Sequence, residues 1–228
     1  MPLRLPLLLA IALLGGCLPW GDASDWADAP VGVVAWDFIL EPDSIPAEAP
    51  PVDHLVLDWL TPSDATLAAL VDAGVQPWCH VSLGRVEENL EDYDAFVERD
   101  EAAQQAGAET FLGEDWGEYD DRRWLDPRRS AEFIDLIEAR LQACADRGFS
   151  HVVASELDAS SYATGFELTP DDSVTYAVEV AELANEVGLG FVQTDAHWLS
   201  TELEPLSTAV LFESCAVFGD GCISGTEA

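Results

Sequence analysis

Three times in this chain an amphipathic stretch stops at a glycine and an apolar run follows almost at once. Gly74 leads into residues 75–82, Gly148 into 151–154 and Gly188 into 190–193. Helix, glycine, strand is the rhythm of βα repeats around a parallel sheet. Ser63 is placed to cap the first helix, which runs through Leu67, Leu70 and Val71. Ser130 is placed to cap a longer one, with Phe133, Ile134, Ile137 and Leu141 on a single apolar stripe. Thr169 caps the next, with Pro170 at its first position and Asp171 and Asp172 at the positive end of the helix dipole. Further strands are expected at 31–36, at 55–57 ending in Asp58, and at 208–212. Their unbroken apolar character suits a sheet covered on both faces. The expected fold class is α/β, a TIM-like (β/α) barrel. A doubly wound open sheet is the alternative, and no glycine-rich dinucleotide fingerprint accompanies it.

Polar residues collect where the strands end: Asp58, Ser82, Ser155, Glu156, Asp158, Thr194, Asp195 and Glu213. In β/α barrels that rim carries the active site. Between Gly84 and Arg129 lies a long acidic excursion with Tyr93, Phe96, Phe111, Trp116, Tyr119 and Trp124. It reads either as a functional loop over the mouth or as a helical insertion covering the rim.

The first thirty residues are expected to serve targeting and not the fold. Arg4 and the apolar run 5–14 form a leader too short to span a bilayer as a helix. The tetrad Leu14-Gly15-Gly16-Cys17 resembles a bacterial lipobox, which implies lipidation at Cys17. Residues 1–17 are thus expected to be a signal peptide with lipobox, 18–30 an acidic tether, and 31–228 the domain. The expected location is the cell envelope, anchored by lipid to the outer membrane or cell surface, with plain secretion as the alternative.

Forty-four acidic residues stand against nine arginines, with no lysine. Such a surface repels nucleic acid and attracts cationic ligands; acidic solubilisation in a salty habitat explains it equally well. Export permits disulfides. Cys215 and Cys222, close in sequence with Gly219 and Gly221 between them, are the favoured bridge. Cys79 and Cys144 sit in apolar surroundings and are expected as buried free thiols. The cysteine spacing does not suggest zinc, and no metal or cofactor is expected. His80 and His197 are single histidines without ligand spacing, which favours structural roles.

Several segments, in one order, resemble the endo-α-1,4-polygalactosaminidase family, glycoside hydrolase family 114. They are Trp36-Asp37-Phe38, His54-Leu55-Val56-Leu57-Asp58, and Cys79-His80-Val81-Ser82-Leu83-Gly84 followed by Glu87. Arg123-Trp124-Leu125-Asp126, Gly148-Phe149, Gly165-Phe166 and Phe212-Glu213-Ser214-Cys215 complete the set. The resemblance implies a barrel that hydrolyses a polygalactosamine-type polysaccharide. Its catalytic pair would fall on positions 155 and 213. Position 155 here is Ser, where the family pattern has Asp, and Thr194-Asp195 replaces a Lys-Asn pair. The chain also stops soon after Cys222, before the strand that closes the family's barrel, so a barrel incomplete at its C-terminal end is expected.

Glycoside hydrolysis uses two carboxyl groups, one protonating the leaving oxygen and one attacking the sugar or activating water. Serine cannot substitute for an ionised carboxylate. Glu213 with Asp158 or Glu156 is the remaining candidate pair. Glu156 follows Ser155 directly, and neighbours on a strand point to opposite faces unless the strand has already ended. Candidate substrate contacts are Trp36, Asp58, Glu87, Trp124, Asp126, Ser155 and Asp195. Asp58 reads equally as a bond to nearby backbone amides, Asp126 more readily as a helix cap before Pro127, and Trp124 equally as a core residue. Three functional readings follow: a glycosidase on an amino-sugar polymer, a glycan-binding pseudoenzyme, or a lipoprotein scaffold.

Overall fold

The computed structural model describes residues 35–211, apart from 41–44, 47, 117, 118 and 195. The leader with Cys17, the tether, the first residues of the strand expected at 31–36, Asp195, Glu213 and the Cys215/Cys222 pair lie outside the described residues.

Six parallel strands form a curled sheet: β1 (Trp36–Ile39), β2 (His54–Asp58), β3 (Gln76–Ser82), β7 (His151–Ser155), β8 (Gly190–Thr194) and β9 (Ser207–Leu211). They lie in the order of the chain, β1-β2-β3-β7-β8-β9. A doubly wound sheet reverses its strand order at a switch point, and none occurs among the described strands. The fold is an incomplete TIM-like barrel. Helices α1 (Asp64–Asp72), α3 (Ile134–Asp146) and α4 (Pro170–Glu186) cover its outer face. Leu55 and Leu57 point into the layer they share with those helices. Val56, from the opposite side of the same strand, packs inside with Trp78, Val153, Val192 and Leu211. Two apolar layers therefore sandwich one sheet, which is why its strands read as unbroken apolar runs.

Local chemistry sets the helix ends. Ser63 Oγ accepts the Thr66 amide ahead of α1, and Thr169 and Asp172 form a reciprocal capping box ahead of α4. The closing glycines Gly74 and Gly188 both sit at φ +85°, a conformation that strains any side chain with a Cβ.

Three expectations need correction. Ser130 caps nothing. A 3-10 turn at Pro127–Glu132 precedes α3, and Asp126 caps it by accepting the Arg128 amide. Pro127 presets φ for that turn, and the chain kinks before α3 begins at Ile134. Cys79 and Cys144 are not free thiols but a disulfide joining β3 to α3. The 84–129 excursion is neither a loop nor purely helical. It contains β4 (Arg85–Glu87), α2 (Tyr93–Gln105), β5 (Leu112–Trp116) and β6 (Tyr119–Leu125), and the strands make a separate antiparallel sheet in the order β4-β6-β5.

Candidate active site

At the C-terminal ends of β2, β3 and β7, an open cleft of about 770 Å³ is floored by the barrel and walled on one side by the small sheet. Asp58, His80, Ser155 and Thr194 line it from the barrel, Arg85, Glu87, Arg122 and Trp124 from the small sheet. Glu156, Asp158 and Tyr162 enter from the segment after β7. That segment continues through a short 3-10 turn, Ala159–Ser161, before α4.

The central feature is the end of β7. The strand stops at Ser155, and Glu156 takes φ +59°, in the left-handed region. A continued strand would turn the Glu156 side chain away from that of Ser155. The left-handed residue reverses that sense, and the Ser155 hydroxyl donates to the Glu156 carboxylate. Both residues therefore face the cleft. Arg85, almost fully buried, meets Glu156 Oε1 at 2.5 Å. Burial by itself raises the proton affinity of Glu156, but the Arg85 guanidinium, with the Ser155 hydroxyl, outweighs it. The carboxyl is held below the usual range and stays ionised.

Glu87 differs. Burial pushes its proton affinity up, Arg122 and Arg85 offset this only in part, and Glu156 and Asp121 push in the same direction as burial. Its contact with Arg122 is loose, at 3.6 Å. One cleft thus holds a carboxyl kept charged and another biased towards its neutral form, the division of labour that acid–base chemistry needs.

The backbone between these groups is rigid. Arg140 Nη1, reaching from α3, donates to the carbonyls of Ser82 (2.6 Å) and Arg85 (3.1 Å). Tyr176 of α4 donates to Leu83 O, and the Leu125 amide to Gly84 O. Every carbonyl from Ser82 to Arg85 is thereby held by another element. A Cβ at Gly84 would lie 1.7 Å from the Glu156 carbonyl oxygen, so only glycine lets this turn press against the chain after β7.

The remaining candidates are placed as follows. Asp58 Oδ1 accepts from the amides of Leu60 and Thr61 and from the Thr61 hydroxyl, so it builds the turn after β2 while lining the cleft. Asp126 is buried outside the cleft lining, with Arg128 bound to both its carboxylate oxygens. Trp36 opens β1 at the far end of the barrel from the cleft and is 41% exposed. Trp124 is fully buried, stacked on Tyr162 with ring centroids 5.0 Å apart and 25° between planes. Tyr162 is 46% exposed, so it carries the outward aromatic surface of that stack. Sequence reasoning missed Arg85, Arg122, Tyr162 and the position of His80. The usable signal for Arg85 was a cation directly after the Ser-Leu-Gly turn that follows a buried strand. Among the described residues, no cluster of His, Cys, Asp and Glu could hold a metal ion.

The sequence pattern of glycoside-hydrolase family GH114 matches residues 18–227. Among solved structures, the chain is similar to Ega3 of Aspergillus fumigatus, solved with galactosamine. The identity is 23% and the TM-score 0.69, over 85% of this chain and 71% of that one. It is also similar to the glycoside hydrolase domain of PelA from Pseudomonas aeruginosa, at 18% identity and TM-score 0.54, over 79% of this chain and 66% of that one. Comparison with curated protein sequences gives no match. The structural likenesses establish a shared barrel fold.

Proposed function

Since the chain belongs to glycoside-hydrolase family GH114, we propose that it hydrolyses an amino-sugar polysaccharide of the polygalactosamine type, with Glu156 as the ionised carboxylate of the cleft. One observation carries this reading: the left-handed turn at Glu156 brings a carboxylate to the end of β7 beside Ser155. There the charge faces the positive character that develops at the anomeric carbon as the glycosidic bond breaks. We assign proton donation to Glu87, whose surroundings favour its neutral form. An anionic protein with net charge −35 suits a polymer that carries free amino groups.

The Arg85–Glu156 ion pair favours a second reading. A carboxylate already neutralised at 2.5 Å is less able to stabilise a cationic transition state, and the cleft then binds glycan without cleaving it.

The test is release of new reducing ends from partly deacetylated polygalactosamine. The parent is expected to cleave, and Glu156→Gln to lose about 10²–10³ in kcat, the usual loss when one preorganised electrostatic group is removed. Glu87→Gln and Glu213→Gln, run in parallel, identify which carboxyl supplies the proton. A parent that binds the polymer without turnover, while Ser155→Asp cleaves it, would establish the binding reading instead.

A further inference from the structure

The geometry assigns His80 as a catalytic base of the cleft: its ring takes a proton from the water that attacks the sugar. This inference rests on the glycosidase reading above and adds a residue to it. His80 lies on β3 between two acid-bearing strand ends, paired in register with Asp58 of β2 on one side and Val153 of β7 on the other. The cleft therefore presents Asp58, His80 and the Ser155–Glu156 corner on three adjacent strands. Phe38 of β1 packs edge-on against the imidazole, with centroids 5.2 Å apart, and fixes the ring from the remaining side. No hydrogen bond from the described side chains engages the ring nitrogens, although the ring lines the cleft.

The charged groups that act on the ring are Glu156 after β7, Asp58 at the end of β2 and Arg85 on β4. Burial lowers the proton affinity of His80, Arg85 adds to that, and the two carboxylates oppose it only in part. The imidazole is accordingly neutral at neutral pH and able to accept a proton. The carboxylates on either side then stabilise the imidazolium that forms, as a carboxylate does for histidine in hydrolytic triads. Glu156 is the poorer base of the two, because its charge is committed to Arg85 and Ser155.

The step balances as follows. A water O–H bond breaks and its proton moves to the imidazole. The water oxygen bonds to the anomeric carbon. The glycosidic C–O bond breaks, and its electron pair stays with the leaving oxygen, which takes a proton from the cleft's carboxylic acid. His80 then passes its proton to solvent, and the carboxylate left by the acid takes one up, so both groups are restored.

The experiment measures kcat/KM against pH on partly deacetylated polygalactosamine for the parent, His80→Gln and His80→Gly, the last with and without added imidazole. Polymer binding and thermal unfolding are followed for each. The expected result is a parent whose activity falls on acidification as the base protonates, and variants that bind the polymer but lose about 10²–10⁴ in kcat. Imidazole restores activity to His80→Gly. A parent that cleaves, with His80→Gln within a few-fold of it and the same acid limb, overturns this inference alone. A parent that binds without cleaving overturns both this inference and the glycosidase reading.

Discussion

His54 and His151 enclose the indole of Trp78 at the end of the barrel away from the cleft, with ring centroids 4.5 and 4.8 Å from it. His151 is 2% exposed, and burial, with His54 adding, lowers its pKa from 6.5 to about 4. Burial lowers His54 as well, against the opposing pull of Asp53 and Gln76. The sign of the linkage follows. Between pH 6.5 and about 4 the unfolded chain holds a proton on His151 that the folded chain does not, so stability is full above that window and falls through it on acidification. The loss is roughly 3 kcal/mol from this residue. Urea unfolding at pH 7 and pH 4.5 should show it, and His151→Gln should flatten the slope; an unchanged slope would place the acid sensitivity elsewhere. At this scale the sequence was a partial guide. Asp58 and Thr194 were legible as strand-end residues because apolar runs announce where strands stop. The orientation of Glu156 was not, because period-two alternation turns it away and no glycine marks the left-handed residue.

Elements were more legible than residues where helix caps and glycines punctuate the chain, as at α1 and α4. The antiparallel sheet of the insertion escaped because β6, with the sequence YDDRRWL, shows no alternation, and its two arginines serve different partners, Arg122 the carboxylates of Glu87 and Asp121 and Arg123 the main chain. Arg123 Nε and Nη2, for example, donate to Gly113 O and Leu112 O. One side chain couples the two layers. Arg140 meets Asp92 at the start of α2 through Nε at 2.5 Å and Nη2 at 3.1 Å while holding the Ser82–Arg85 turn. The Cys79–Cys144 disulfide, one turn along α3, ties the same helix to β3. Arg140→Leu would leave Asp92 and the carbonyls of Ser82 and Arg85 without this partner. It should cost about 2–4 kcal/mol of stability, less than for breaking a fully buried pair because Asp92 is partly exposed, read as a lower urea midpoint. A midpoint unchanged from the parent would mean that the turn holds itself.

Across the molecule, each arginine from Arg85 to Arg147 is engaged by the protein itself: Arg85 and Arg140 are buried, while Arg99 and Arg128 pair at the surface. Arg85, Arg99, Arg122, Arg128, Arg129, Arg140 and Arg147 each contact a carboxylate, and Arg123 contacts carbonyls. Their charge is met by neighbouring carboxylates and carbonyls, and the molecule keeps a net charge of −35. Self-repulsion of this kind destabilises the compact state and is screened as the Debye length shrinks from about 10 Å at 0.1 M salt to about 3 Å at 1 M. The thermal midpoint should therefore rise between those concentrations, by about 2–4 °C for each ~1 kcal/mol of repulsion relieved. A midpoint that falls with salt would show that the arginine pairs outweigh the repulsion. The composition made this charge plain; that the few cations are already paired became visible only with the fold.

On the role proposed for Glu156, the turn there also bears on how activity could be inherited. A charge at a strand end can be supplied by the residue that finishes the strand, or by its successor if one backbone dihedral changes sign. Two chains aligned column by column would then differ at position 155 as though one had lost the group, while their clefts carry the same charge. Under that reading, a lineage passing through serine at that column need not cross an inactive ancestor. The carboxylate can arise first at the neighbouring position, and the aspartate can lapse afterwards.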